Sequence, residues 1–193
     1  YVYLNFKSSC DAKDVFADIT ITNKGNMRLG SWWKKGSLVN DGTLEIYEYI
    51  KLGESSTYPM HIVNNATGKL FVKPSTSTTG STTTFKDYFT LTNNGGQVFV
   101  SAGIFTEKAF AQIYKEGEYN YIANGYVHPK WASDKCYHIL SADDVVATVN
   151  GVEYNDLQEA IMASSAENPA ILKKDLTLTS KIGLQNGKKV LDL

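Results

Sequence analysis

Few side chains in this sequence are spaced for chemistry. Acid–base cleavage of a sugar polymer needs clustered carboxylates, often with a calcium ion, and a basic group to take or stabilise a proton. Asp143-Asp144 is the one adjacent acidic pair, and it reads as a solvated turn in a connector. Asp11, Asp14 and Asp18 recur at spacings of three and four, so a helix would align them. No glycine-bearing calcium loop follows them, and a solvated helical face is the plainer reading. His61, His128 and His138 are scattered, and neither they nor the cysteines have zinc-ligand spacing. No nucleophile elbow, phosphate loop or dinucleotide fingerprint is present. The sequence therefore predicts no catalytic residue, no metal and no cofactor.

The aromatic residues are the better ligand candidates. Trp32-Trp33 precedes Lys34-Lys35-Gly36, and Tyr47 and Tyr49 alternate around Glu48. Exposed Trp and Tyr rings stack on sugars while polar neighbours fix the hydroxyls. Trp32, Trp33, Tyr47 and Tyr49 are the candidate glycan-stacking residues. The competing reading is packing. Neighbours on a strand face opposite sides, so at least one of the two tryptophans is expected inside.

Those aromatics need a frame, and the frame is repetitive. Ile21–Leu29, Leu38–Ile46, Ile62–Val72, Leu91–Val100 and Leu184–Leu193 share one pattern. Each has an apolar residue, any residue, Asn, a glycine within a few positions, then alternating apolar residues. Asn and Gly tolerate positive φ and are expected to make a tight corner on that account. The corner glycines Gly25, Gly42, Gly68 and Gly95 stand 17, 26 and 27 residues apart, a spacing suited to stacked coils. In such coils, corner asparagines would stack and hydrogen-bond from one coil to the next. The predicted fold class is mainly β, a right-handed parallel β-helix or solenoid with a short capping helix near 156–165. Ordinary hairpins in a sandwich are the alternative, because Asn-Gly and Asp-Gly are also hairpin turns. The two readings differ in whether residues 38–39, 62–63 and 91–92 stack side by side.

Bulk composition narrows the function classes. The chain has 193 residues, net charge −1 and a pI near 6.3. That gives no general attraction for nucleic acid or an anionic membrane. Arg28 is its one arginine, which argues further against phosphate recognition. Twelve tyrosines with many Thr, Ser and Asn are typical of exposed β surfaces of secreted proteins. Cys10 and Cys136 read as two unlinked cysteines, since nothing in a linear stack brings them together, with a disulfide formed outside the cell as the alternative. No signal peptide opens the chain, and no run of eighteen apolar residues occurs. Both ends fall within strand-like runs, and the expectation is a fragment of a larger protein.

Two units are expected, 1–142 and 143–193. The first holds the coils and ends in an irregular connector. Lys73–Thr84 is polar and low in complexity, a loop between coils. Glu107–Lys115 reads as a short helix with Ala109, Phe110 and Ile113 on one side, and strands are expected within 119–127 and 135–140. In the second unit, Asn155 or Asp156 caps a helix with Leu157, Ala160 and Ile161 on its buried face.

Ala147-Thr-Val-Asn-Gly-Val-Glu-Tyr-Asn-Asp-Leu-Gln-Glu-Ala-Ile161 resembles the opening of repeat modules in large secreted or cell-surface bacterial proteins. Pro169–Leu178 and Asn186–Leu193 resemble the strands that follow in those modules. Val98–Phe105, Tyr121–Tyr126 and Cys136–Leu140 resemble the last coil of a module and its connector. Asn155-Asp156 departs from the small hydroxyl residue usual before the leucine. The resemblance implies a right-handed parallel β-helix and an extracellular or cell-surface location. It implies a non-catalytic adhesin-like or stalk-like scaffold whose partner is a host or environmental glycan or a surface protein. Charge and hydropathy, not the resemblance, carry the expectation of no nucleic-acid partner and no membrane insertion by this stretch. The alternatives are a fragment of a carbohydrate-active β-helix enzyme, a polysaccharide lyase or glycoside hydrolase, and a segment of a phage tail spike, which would be trimeric.

Overall fold

Alternating apolar residues make short strands, and over residues 20–105 each strand pairs with one from the neighbouring repeat rather than with its own successor. The computed structural model describes residues 20–29, 35–47, 50–74, 82–177, 182 and 190–192. Contacts divide the chain into residues 1–124 and 125–193. The sequence-motif boundary at 142/143 falls inside the second of these, at a 3-10 turn over Ala142–Asp144.

In the first unit, one repeat holds β1 (Thr20–Asn23) and β2 (Asn26–Leu29). The next holds β3 (Gly36–Asn40), β4 (Thr43–Ile46) and β5 (Lys51–Leu52). A third holds β6 (Met60–Asn64), β7 (Lys69–Val72) and β8 (Thr84–Phe85). A fourth holds β9 (Phe89–Asn93), β10 (Gln97–Val100) and β11 (Gly103–Phe105). The rows β1-β3-β6-β9, β2-β4-β7-β10 and β5-β8-β11 are all parallel. Leu38 lies opposite Ile62 and Ile62 opposite Leu91, with Val39, Val63 and Thr92 alongside. No hairpin closes across Asn40-Asp41-Gly42: β3 pairs with β1 and β6, β4 with β2 and β7. The short spacing of the first two repeats is in register too, with Asn23 opposite Asn40.

The inward side chains form columns of like residues. Met27, Leu44, Leu70 and Val98 make one, and Leu29, Ile46, Val72 and Val100 another, all buried. In the third row Phe85 and Phe105 stack with parallel rings, centroids 4.3 Å apart, and Phe89 meets Phe85 edge-on. Each such side chain, removed from water, contributes about 1.5–3 kcal/mol.

The corners carry the polar counterpart. Asn23 Nδ2 donates to Asn40 Oδ1 at 2.8 Å, Asn40 Nδ2 to Asn64 Oδ1 at 2.7 Å, and Asn64 Nδ2 to Asn93 Oδ1 at 3.0 Å. The second hydrogen of each amide goes to backbone carbonyls, those of Thr43, Lys69 and Gln97 for the first three. Asn93 Nδ2 ends the series on the Tyr121 hydroxyl at 3.2 Å. Asn40 and Asn64 are wholly buried, where an unpaired amide would be costly. A second, outer ladder runs from Asn94 to Asn65 to Asp41.

The corner glycines have a different reason from the expected one. None of Gly25, Gly42, Gly68 and Gly96 has positive φ, nor do the ladder asparagines. A Cβ on Gly42 would lie 2.2 Å from the Gly25 carbonyl oxygen, which already accepts the Thr43 N–H. On Gly68 it would lie 2.4 Å from the Asn40 carbonyl oxygen of the preceding corner, and on Gly96 2.3 Å from Asn64 Nδ2. Glycine is therefore required at 42, 68 and 96 by the close approach of one corner to the next, whereas Gly25 has nothing within 4 Å. The fourth corner glycine is Gly96, not Gly95, since Gln97 pairs with Lys69; Gly95 has φ +90° and open space around it.

The unit closes with helix α1 (Glu107–Phe110) and the hairpin β12 (Tyr114–Lys115) and β13 (Tyr119–Asn120). The helix is shorter than the expected 107–115: after Phe110 the chain passes through turns into β12, and Ile113 is still buried.

In the second unit β14 (Tyr126–Val127) pairs antiparallel with β15 (Tyr137–Ser141). Strand β16 (Ala147–Val149) pairs antiparallel with β17 (Val152–Tyr154). Helix α2 (Leu157–Ala163) follows, capped by Asp156, whose Oδ1 accepts the Glu159 N–H at 3.0 Å. It ends at Ala163 rather than near 165. Ser164 leaves the helical path, and its hydroxyl donates to the Ile161 carbonyl. Strand β18 (Ala170–Leu172) pairs antiparallel with β16 and parallel with β19 (Leu191–Asp192). Ala160 and Ile161 sit in a core with Ala147, Val149, Tyr154 and Ala170, and Leu157 packs at its margin.

Three stability tests come from these contacts. Asn64→Ala removes the donor and acceptor at the middle of the ladder and should cost about 2–4 kcal/mol in urea unfolding. Gly42→Ala should destabilise by roughly 2 kcal/mol, whereas Gly25→Ala, with nothing within 4 Å of the new methyl, should stay near the parent. In the second unit Ile161→Asp should cost several kcal/mol, on the order expected for a carboxylate buried among apolar groups, with Leu157→Asp costing less.

Candidate functional site

Two places gather polar and aromatic side chains. The first is the outward side of the β2-β4-β7-β10 sheet. Inward residues alternate with outward ones, so the parallel register aligns Arg28, Glu45, Phe71 and Phe99 in one column. Asn26, Thr43, Lys69 and Gln97 form the column beside it. Past the strand ends, Tyr47 and Lys73 follow Ile46 and Val72 on the same side.

Ion pairing organises this face. Glu45 binds Arg28 Nε at 2.8 Å and Lys73 Nζ at 2.5 Å. The bond from Lys73 is the main influence on the Glu45 carboxyl; partial burial opposes it, Arg28 adds to it, and the pKa ends below the usual carboxylate value. Arg28 also lies over the Tyr47 ring at 5.3 Å, and Lys73 over Phe71 at 5.0 Å. Phe71 and Phe99 stack, centroids 5.1 Å apart and planes 11° from parallel. Phe99 is 41% exposed, so the Phe71–Phe99 stack places aromatic surface on the solvent side of the sheet.

The second place lies in the other unit. Trp131 stacks on His138 at 3.8 Å and on Tyr154 at 5.3 Å, and its indole N–H donates to the Glu153 carbonyl. His138 is 7% exposed, and its Nε2 lies 2.9 Å from Asp134 Oδ2. Burial lowers the His138 pKa below 6.5, against the opposite pull of Asp134 and, less strongly, Glu159. Asp134 Oδ1 also accepts the Cys136 N–H at 2.9 Å. Cys136 is buried; Cys10 lies outside the described residues. A shallow cleft beside this stack is lined by Ala132, Ser133, Tyr154, Glu159, Met162 and Ala163. The histidine is held as packing, with one ring face against Trp131 and one nitrogen on Asp134.

Of the four expected stacking residues, Tyr47 is half-buried under Arg28 on the first face. Trp32, Trp33 and Tyr49 lie outside the described residues, as do Asp11, Asp14 and Asp18. Asp143 and Asp144 are exposed on the 3-10 turn, where Lys174 donates to the Asp143 carbonyl rather than to a carboxylate. His61 is exposed and bonds Thr90 Oγ1 at 2.7 Å. Among the described residues no three His, Cys, Asp or Glu side chains converge as a metal site, and no helix is long and apolar enough to cross a membrane.

The Phe71–Phe99 pair is absent from the sequence-based candidates. Its signal is present, since Phe71 and Phe99 are both the penultimate residues of alternating runs. Their alignment becomes readable only once the corner lengths are known. No protein-family model matches the chain, and no curated protein or solved structure matches it.

The buried His138 yields a pH test. The unfolded chain takes up a proton near pH 6.5 and the folded chain only at lower pH, so stability is present above that value and is lost as pH falls through it. Unfolding of the second unit should become easier between about pH 7 and about pH 5. His138→Phe should flatten that dependence, and Asp134→Asn should steepen it, both read from denaturant midpoints across pH.

Proposed function

We propose that residues 20–105 form a right-handed parallel β-helix. We propose further that the chain is a non-catalytic scaffold module of a secreted or cell-surface bacterial repeat protein, adhesin-like or stalk-like. The observation that carries this reading is the unbroken parallel register through four successive repeats, with an amide ladder along their corners. Such a stack gains stability from nearest-neighbour contacts and holds a surface rigid without a large core. Right-handed winding is the usual hand for parallel strands joined by crossovers. The opening motif Ala147–Ile161 supports the surface-protein assignment by its resemblance to repeat modules. A glycan-binding face is part of this reading, with Tyr47 its described member and Trp32, Trp33 and Tyr49 its sequence-based members.

The enzyme alternative needs groups poised for proton transfer. Asp143 and Asp144 are solvated, and His138 is engaged in ring stacking and an aspartate contact. Incubation with pectins, glucans and host glycans should release neither reducing ends nor unsaturated products. Turnover that vanishes in Asp143→Asn/Asp144→Asn would overturn the scaffold reading in favour of a carbohydrate-active enzyme.

A further inference from the structure

The outward side of the β2-β4-β7-β10 sheet combines two features that chain stability does not require. Two phenylalanines stack on the solvent side, one of them 41% exposed. The same face carries Arg28, Lys69 and Lys73 against one carboxylate, Glu45, within a chain whose net charge is −1. Lys69 is exposed and one column away from Phe71. Lys73 is held over the Phe71 ring, and Glu45 fixes it there. A ring platform flanked by cations, already ordered by an ion-pair network, costs little further ordering on binding.

We infer that this face binds a linear acidic glycan built of uronic acids, with Phe71 and Phe99 as the stacking platform and Lys69 and Lys73 as the carboxylate contacts. A uronic-acid chain presents an apolar C–H face and a carboxylate at every unit. The face presents two rings on successive rows about 4.8 Å apart, the spacing of paired strands, with Lys69 and Lys73 flanking Phe71 on its own row. The excess of positive charge selects the acidic polymer over a neutral one, and the rings select a sugar over a simple polyanion. This inference adds a ligand to the scaffold reading and names residues outside the sequence-based set.

Calorimetric titration of the whole chain with galacturonate hexamer, and with the neutral hexamer of glucose, tests it. The acidic hexamer should bind, more weakly at about 0.5 M than at about 0.05 M salt. Phe99→Ala and Lys69→Glu should each weaken binding about tenfold or more, 1.4 kcal/mol by the usual conversion. Both residues are exposed, so the melting curves of both variants should match the parent and separate lost binding from lost fold. Equal binding of the neutral hexamer, no binding of the acidic one, or affinity unchanged in both variants would each overturn the inference. Product release from either hexamer is a separate readout and bears on the scaffold reading alone.

Discussion

The first unit depends on the hydrogen-bonded column of asparagine amides at its corners. Parallel strands satisfy their backbone groups by pairing, but a stack of short strands must also turn between them. Asn23, Asn40, Asn64 and Asn93 fill that corner, each donating both amide hydrogens and passing its neighbour's polarity onward. The buried amide is costly unless every partner is in place, so the column admits one register. Glycine at 42, 68 and 96 follows from the same constraint, because these corners approach their neighbours too closely for a Cβ.

Register at the corners decides what each side of a sheet becomes. With Asn23, Asn40, Asn64 and Asn93 aligned, leucines and isoleucines fall into inward columns without further instruction. The outward columns are aligned by the same geometry but are not required for packing. That is why residues as unlike as Arg28, Glu45, Phe71 and Phe99 occupy equivalent places there. The second unit is built on other physics. An antiparallel hairpin, one extra strand and a two-turn helix enclose a small core, and Trp131, His138 and Tyr154 stack at its side.

The repeated Asn and Gly, with alternating apolar residues after them, made the strand rows legible from sequence. The same pattern misplaced one corner, because Gly95 and Gly96 are adjacent and only the pairing of Gln97 with Lys69 separates them. It also misassigned the reason for Gly42 and Gly68, though not for Gly95, whose φ is +90°, since a clash between corners 17 or more residues apart leaves no local mark. The helix at 157–163 was legible from its Asp156 cap and apolar spacing, but its end was not: Ser164 bonds back to Ile161 and stops the helix before Pro169 does. The aromatic ridge was the least legible feature. Phe71 and Phe99 stand 28 residues apart, and their meeting depends on corners that hold different numbers of residues between the asparagine and the next strand.

Those unequal corners have an evolutionary consequence. Two residues bridge Asn40 and Thr43, four bridge Asn64 and Lys69, and three bridge Asn93 and Gln97. The stack absorbs the differences as outward bulges while the amides stay aligned. Length changes at corners are therefore tolerated, and whole repeats can be gained or lost by recombination between one asparagine and the next. A single residue inserted within a strand is another matter. It reverses the parity of every later side chain in that strand, turning an apolar column to solvent and a charged one inward. Lineages of such a chain should differ in corner length and repeat number far more readily than in strand length.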